Sequence, residues 1–382
     1  MTDRPHRSPP RAARLTAGLL ALLCAGAARA GGGSGTQVSG SVYLDYWGIP
    51  NKNAAQNAPA SFTPDASLKI GVDVHDELSF SAKACVSCHG VEIDHIALDY
   101  QPTAWFNVQF GRLAVPFGEY SQRVDSSGHK TASAPLIYDM GRMAYGDRTS
   151  MNLGVLPQPY VDTGVLVYGT VWLGSKLQVW YGLYGVAGLK GANDVDWMSM
   201  RSIPYTDNNR EPAGGGRLAL TLSQDEGFFG DVSVGASGSA GHYDKDAKLK
   251  YLIYGLDASA RFGPVTIRGE YAARKMDLSQ TASYPYQPVD FWMRKEGWYA
   301  ELEHPLGKYL SAVYRYDTLR RLGVPLPGTN AALTPDSSIV RYTAGLVVSP
   351  AQAIYMKLMW EYWDPTDFQS FHSYHVGLGG AF

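Results

Sequence analysis

The chain has 382 residues, with 33 Lys and Arg against 35 Asp and Glu and a formal net charge of −2. That balance leaves no basic footprint for nucleic acid. Hydrophobic residues make up 45% of the chain and mean hydropathy is −0.18, and beyond the N-terminus no segment has the ~20 continuous apolar residues of a spanning helix. The 25 Tyr, 9 Trp and 42 Gly, with few helix signals among them, fit an outer-membrane barrel instead.

Arg4, Arg7, Arg11 and Arg14 precede an apolar stretch from Leu15 to Ala27 and the small-x-small site Ala28-Arg29-Ala30. This predicts a secretory signal peptide over 1–30, a mature chain starting at Gly31, and loss of Cys24 with the signal. Removing five Arg and one Asp leaves 28 basic and 34 acidic residues, which suits acidic outer loops. Export to an oxidising compartment makes stray thiols a liability, so the two remaining cysteines need a reason.

From Gly31 to Phe382 the chain reads as one domain, an all-β transmembrane antiparallel β-barrel of about 16 strands. Predicted strand cores are 38–47, 67–74, 78–86, 91–100, 105–113, 161–172, 176–186, 215–223, 231–240, 250–262, 265–275, 297–304, 309–317, 339–348, 353–363 and 372–382. The clearest is the last. Tyr374, Val376, Leu378, Gly380 and Phe382 share one parity and Ser373, His375, Gly377 and Gly379 the other, a period-2 alternation ending on an aromatic residue. It resembles the C-terminal assembly signal of Gram-negative outer-membrane proteins, which implies that membrane and its lipid as the environment. On the polar parity of other strands, Arg268, Glu270, Arg315, Lys357 and Glu361 are too charged for a dry protein core and are predicted to line the pore. An even strand count puts both ends on the periplasmic side. Long polar connections at 48–66, 114–160, 187–214, 276–296 and 318–338 then fall outside.

At the end of the third strand stands Cys85-Val86-Ser87-Cys88-His89, the C-x-x-C-H pattern of covalent haem attachment. Its parity points Cys85 into the lumen. Four readings are open: haem, a Cys85–Cys88 disulfide, a metal clip of both thiols and His89 with a fourth ligand from elsewhere, and a free redox dithiol. The word resembles that of fused porin–cytochromes such as outer-membrane iron oxidases. That likeness implies one covalent haem c on Cys85 and Cys88, His89 as the proximal ligand to the haem iron, and periplasmic and surface c-type cytochromes as electron-transfer partners. A distal ligand is sought among His95, His129 and Met140.

The connection 114–160 is too long to be idle. Just before it, Phe106 to Phe117 reads F-N-V-Q-F-G-R-L-A-V-P-F, followed by Gly118-Glu119. This resembles the G-R-x-x-x-P-F-G stretch of porins of the phosphate-selective O/P family. The resemblance implies a third outer loop folded into the lumen as a constriction. Acidic pairs such as Glu301 and Glu303, or Asp45 and Asp73, suit pore lining better than acid–base catalysis. Gly214-Gly215-Gly216 lacks the following Lys of a phosphate-cradling loop and reads as a flexible turn. Two functions follow: an electron conduit across the outer membrane carrying one haem c, or a haem-free diffusion porin for small polar or anionic solutes with the disulfide. Both are transport or electron transfer rather than catalysis.

Overall fold

Short alternating segments of this kind cannot bury their apolar face alone; they do so by pairing in series and closing. A computed structural model describes residues 35–49, 61–87, 90–138, 144–145, 149–150, 154–190, 207–224, 228–278, 292–323, 338–366 and 369–382. The expected signal peptide lies outside the described residues. Sixteen strands form one closed antiparallel barrel: β1 (Thr36–Gly48), β2 (Ser61–His75), β3 (Leu78–Ser87), β4 (Gly90–Tyr100), β5 (Asn107–Ala114), β8 (Val161–Leu173), β9 (Leu177–Val186), β10 (Ala213–Leu222), β11 (Phe229–His242), β12 (Lys250–Phe262), β13 (Val265–Asp277), β14 (Trp292–Pro305), β15 (Leu310–Gly323), β16 (Ser338–Ala351), β17 (Ile354–Pro365) and β18 (Phe371–Ala381). A two-stranded ribbon, β6 (Ala144–Tyr145) and β7 (Thr149–Ser150), sits within the long connection, so β5 pairs with β8. Closure is made by β1 on β18, from Ser41↔Ala381 to Gly48↔Tyr374. Among the described residues no helix is long and apolar enough to cross a membrane; strands make the crossing.

The predicted sidedness is the observed one. On β18 Tyr374, Val376 and Leu378 are exposed outward while Ser373 and His375 are buried inward. On β12 Leu252, Tyr254 and Leu256 face out and Asp257 faces in. Aromatic residues ring both ends of this apolar surface. Towards the end opposite the termini, Trp298, Tyr316, Tyr342, Tyr362, His372 and Trp360 contact one another in a row. At the other end Phe228, Phe229 and Phe262 pack together. A closed barrel with an outward apolar band between two aromatic girdles is built for the Gram-negative outer membrane. Leu256, 61% exposed in mid-strand, is expected to lie near the bilayer centre. Leu256→Arg should destabilise the barrel by about 2–4 kcal/mol in lipid vesicles, whereas inward Ala219→Arg should cost far less; equal losses in a urea titration would refute the sidedness.

Several strands run further than the alternation predicts. β14 starts at Trp292 rather than 297, and β15 runs to Gly323 rather than 317. Their outer ends carry Arg294, Glu296 and Arg320 on the outward face, so hydrogen-bonded pairing continues after the apolar signal has stopped. β2 starts at Ser61 and takes in Pro64. Pairing with β3 begins only at Ala66, so Pro64 lies beyond the end of β3, where a missing N–H is tolerated. The expected flexible turn at Gly214–Gly216 is instead part of β10. A Cβ on Gly215 would meet the Tyr184 hydroxyl at 2.4 Å, so glycine there makes room for an inward tyrosine.

Candidate functional site

The site starts at a turn that favours glycine. After β5, Val115 N–H donates to Tyr160 O at 2.9 Å and closes the base of the long loop. Gly118 then adopts φ +66°, a left-handed conformation that a Cβ disfavours, and turns the chain into the barrel. Its N–H donates to Ser237 Oγ at 3.0 Å. The loop that follows lies against the inner face of β11 to β17. Phe117, Tyr120, Leu136, Ile137, Val155 and Leu156 are fully buried there, with Tyr184, Tyr251, Ile253 and Tyr299 of the wall. At about 1.5–3 kcal/mol per fully buried large apolar side chain, this seam is a substantial anchor. The chain after β9 folds inward beside it: Asp162 accepts from Gly188 N–H at 2.8 Å, and Leu189 joins the same cluster.

The polar half of the anchor uses the charges expected to line the pore. Glu270 accepts from the Tyr138 hydroxyl and from Tyr120 N–H at 3.3 Å. Arg315 donates to Thr131 Oγ1 at 2.7 Å, Ser133 O at 2.9 Å and Ser133 Oγ at 2.8 Å, and pairs with Asp317 at 2.9 Å. Glu361 accepts from the Ser133 hydroxyl and lies 3.3 Å from His375 Nε2, whose Nδ1 is 2.8 Å from Asp45. Lys357 spends all three ammonium protons on loop carbonyls, those of Ser126 (2.7 Å), His129 (2.7 Å) and Thr131 (2.9 Å). Glu270, Arg315, Lys357 and Glu361 therefore point into the barrel, but they lie buried beneath the loop instead of facing open water. Arg268 alone of the five stays partly exposed, bound to Glu303 at 2.5 Å. The alternation gave each charge its face; it carried no information on what would cover that face.

The opposite wall, β1 to β5, keeps the wetter polar groups. Lys69 and Asp73 are exposed, and Ser81, Lys83 and His95 are partly so. Here the loop reaches across. Lys83 Nζ lies 2.6 Å from Asp125 Oδ1 of the loop and 2.9 Å from Asp94 Oδ2 of the wall. A register shift between β3 and β4, where Lys83 pairs with His95 and Ala84 with Ile93, turns both Asp94 and His95 inward. His95 Nε2 is 2.6 Å from Ser81 Oγ. Sequence parity alone left His95 undecided, because a bulge has no simple periodic signal.

Cys85 stands in this cluster as a free thiol, its Sγ donating to Asp94 Oδ2 at 3.4 Å. Ser87 pairs with Gly90; Cys88 and His89, between them in sequence, lie outside the described residues. So does Met140. His129 lies within the loop. Its ring is buried inside the loop against Tyr120, 5.5 Å between centroids. Burial first, then the Lys357, Arg123 and Arg315 cations, push its pKa well below the ordinary histidine value.

No family model and no curated protein matches the chain. Solved structures do. The chain is similar to an anion-selective porin of Comamonas acidovorans, with a TM-score of 0.59 at 15% identity over 92% of this chain and 100% of that one. It is also similar to OmpF of Salmonella typhi, with a TM-score of 0.56 at 12% identity over 92% and 98%. The chain has the porin fold. A loop-deleted OmpT of Vibrio cholerae aligns likewise, with a TM-score of 0.54 at 12% identity over 91% and 99%. At such identities only architecture is shared.

Proposed function

We propose that this barrel is a diffusion channel for small polar solutes, anions among them, with its passage between the inward loop and the β1–β5 wall. The observation that carries the reading is the Lys83–Asp125 bridge, which ties the loop to the wetter wall at 2.6 Å. Lys83 stands on one side of that gap and Asp125 on the other. Opposed charges across a narrow opening create a field perpendicular to flow, which orients dipolar solutes more than it selects one sign of ion. Asp125 keeps 41% of its side chain exposed, so the bridge is a wet one of about 0–1 kcal/mol and can open as solute passes. In planar bilayers the protein is expected to give a steady conductance with weak ion preference. Lys83→Ala should raise the conductance and tilt it towards cations. No conductance at all from folded protein would sink the proposal.

A second reading is supported by one observation, a free lumen-facing thiol at Cys85. One haem c would be held by thioether bonds to Cys85 and Cys88 with His89 on the iron. Bound haem supplies a one-electron carrier, and periplasmic and surface c-type cytochromes would be the donor and acceptor. Asp94 and Lys83 would then set the charge around the attachment thiol, and His95, on the same wall, is the distal candidate with the better placement. Co-expression with the haem-attachment machinery tests it. A Soret band that vanishes in Cys85→Ala supports the conduit; colourless wild-type protein with large conductance removes the haem and leaves the channel.

A further inference from the structure

The outward face of β13 to β17 carries a feature that passage through the lumen does not use. Here the lipid-facing surface is indented by a groove of about 500 Å³. Small Ala300 and Ala344 form the floor, and Tyr314, Tyr316, Tyr342 and Trp360 rise around it. Directly above it, towards the end opposite the termini, the same outward face changes from apolar to basic. Lys275 of β13 is register partner to Arg294 of β14, and Glu296 of β14 to Arg320 of β15. Arg320 follows Tyr316 by four residues on one face of β15, ~13 Å of strand.

The charges in this upper patch do not cancel. Arg294 donates to the Tyr271 hydroxyl at 3.1 Å and pairs with Glu296. Lys275 lies 5.9 Å from the Trp292 ring and, like Arg320, is exposed. At the outer end of β12 and β13 Lys250 N–H donates to Asp277 Oδ2 at 3.3 Å, and the two side chains offset each other in charge. Among the described residues Lys275, Arg294 and Arg320 stand with Glu296 on the membrane-facing side of β13 to β15, and Asp364 adds a second carboxylate on β17; the patch keeps a net positive charge at the level where lipid headgroups begin. Exposed cations beside lipid attract anionic headgroups, and guanidinium groups match phosphate oxygens in geometry as well as charge.

We propose that this face is a binding site for a phosphorylated glycolipid of the outer leaflet. One acyl chain fills the groove over Ala300 and Ala344, and phosphate is held by Lys275, Arg294 and Arg320. The two halves argue for one occupant. The groove alone would accept any acyl chain and the cations alone any anion, but their stacking along a single strand face requires a molecule that is apolar below and anionic above.

Native mass spectrometry of the detergent-purified barrel tests this with three probes: lipid A carrying both phosphates, the same lipid after phosphate removal, and inorganic phosphate. The phosphorylated lipid is expected to bind about tenfold more tightly than the dephosphorylated one. Lys275→Gln/Arg294→Gln/Arg320→Gln should lose about that factor, and Ala300→Trp, which fills the groove, should lose binding of the phosphorylated lipid. A control, Lys245→Gln/Lys248→Gln on the β11–β12 connection, should bind as wild type. Heat-modifiable gel migration establishes that each variant is a folded barrel. Equal binding of both lipids, or full retention in the triple variant or in Ala300→Trp, would mean ordinary surrounding lipid and overturn the proposal. Displacement by inorganic phosphate would mean a free-anion site and overturn it too.

Discussion

Arg315→Met is expected to leave a folded barrel whose internal loop has let go. The Arg315 guanidinium is fully buried and joins the wall, through Asp317 and Glu301, to Thr131, Ser133 and Ala134 of the loop. Removing it leaves Asp317 and Glu301 with less compensation in a site closed to water, a loss of about 3–5 kcal/mol for breaking a buried pair. The cheapest relief is local. The strand ladders are untouched, and lifting the loop readmits water to the carboxylates. Bilayer recordings should show a larger and noisier conductance than wild type, and limited proteolysis should cut between 119 and 137. Retained wild-type conductance with a protease-resistant loop would show that Arg315 does not hold the loop.

Gly118→Ala should have the second large effect, through backbone and contact together. At φ +66° an added Cβ would lie 1.8 Å from Glu270 Oε1 and 2.3 Å from the Tyr138 hydroxyl. Neither partner can yield easily, because the Glu270 carboxylate is held by Tyr138 and Tyr120 and buried under the loop. Left-handed strain alone costs a residue with a Cβ about 1–2 kcal/mol, and the overlap adds to it. Gly174 provides the comparison: its φ is +74°, yet a Cβ there would meet nothing within 4 Å. Gly174→Ala should therefore show the strain alone, about 1–2 kcal/mol, in a urea titration. Gly118→Ala should exceed it and also shift channel conductance. Equal losses at the two sites would mean that contact with Glu270 is unimportant.

How far the sequence could be read depended on the range of the forces involved. Barrel class, strand number and the outward or inward parity of residues such as Leu256, Tyr374 and Glu361 were legible because pairing and lipid exposure impose a period of two on neighbouring residues. Strand ends at Trp292 and Gly323 were not legible, because above the membrane both faces meet water and the alternation disappears. The inward bend after β5 was anticipated from the length of the connection and from a family resemblance. That Glu270, Arg315, Lys357 and Glu361 would serve as its anchors was not: their loop partners are between 132 and 231 residues away in the chain.

The cluster of Cys85, Asp94, His95 and Lys83 shows the same division. Parity gave Cys85 its lumen-facing side, and the short Cys85–His89 word raised redox chemistry as a question. Only the fold set Asp125 of the loop 2.6 Å from Lys83 and, through a register shift, turned Asp94 and His95 to the same side. By itself the sequence determined a closed membrane barrel and, away from bulges such as the one at Asp94, the face that strand residues present, because those follow from local alternation against two solvents. Which inward charges stay wet, and where the passage narrows, was decided only by tertiary structure, because one long segment covers some charges and leaves others in water.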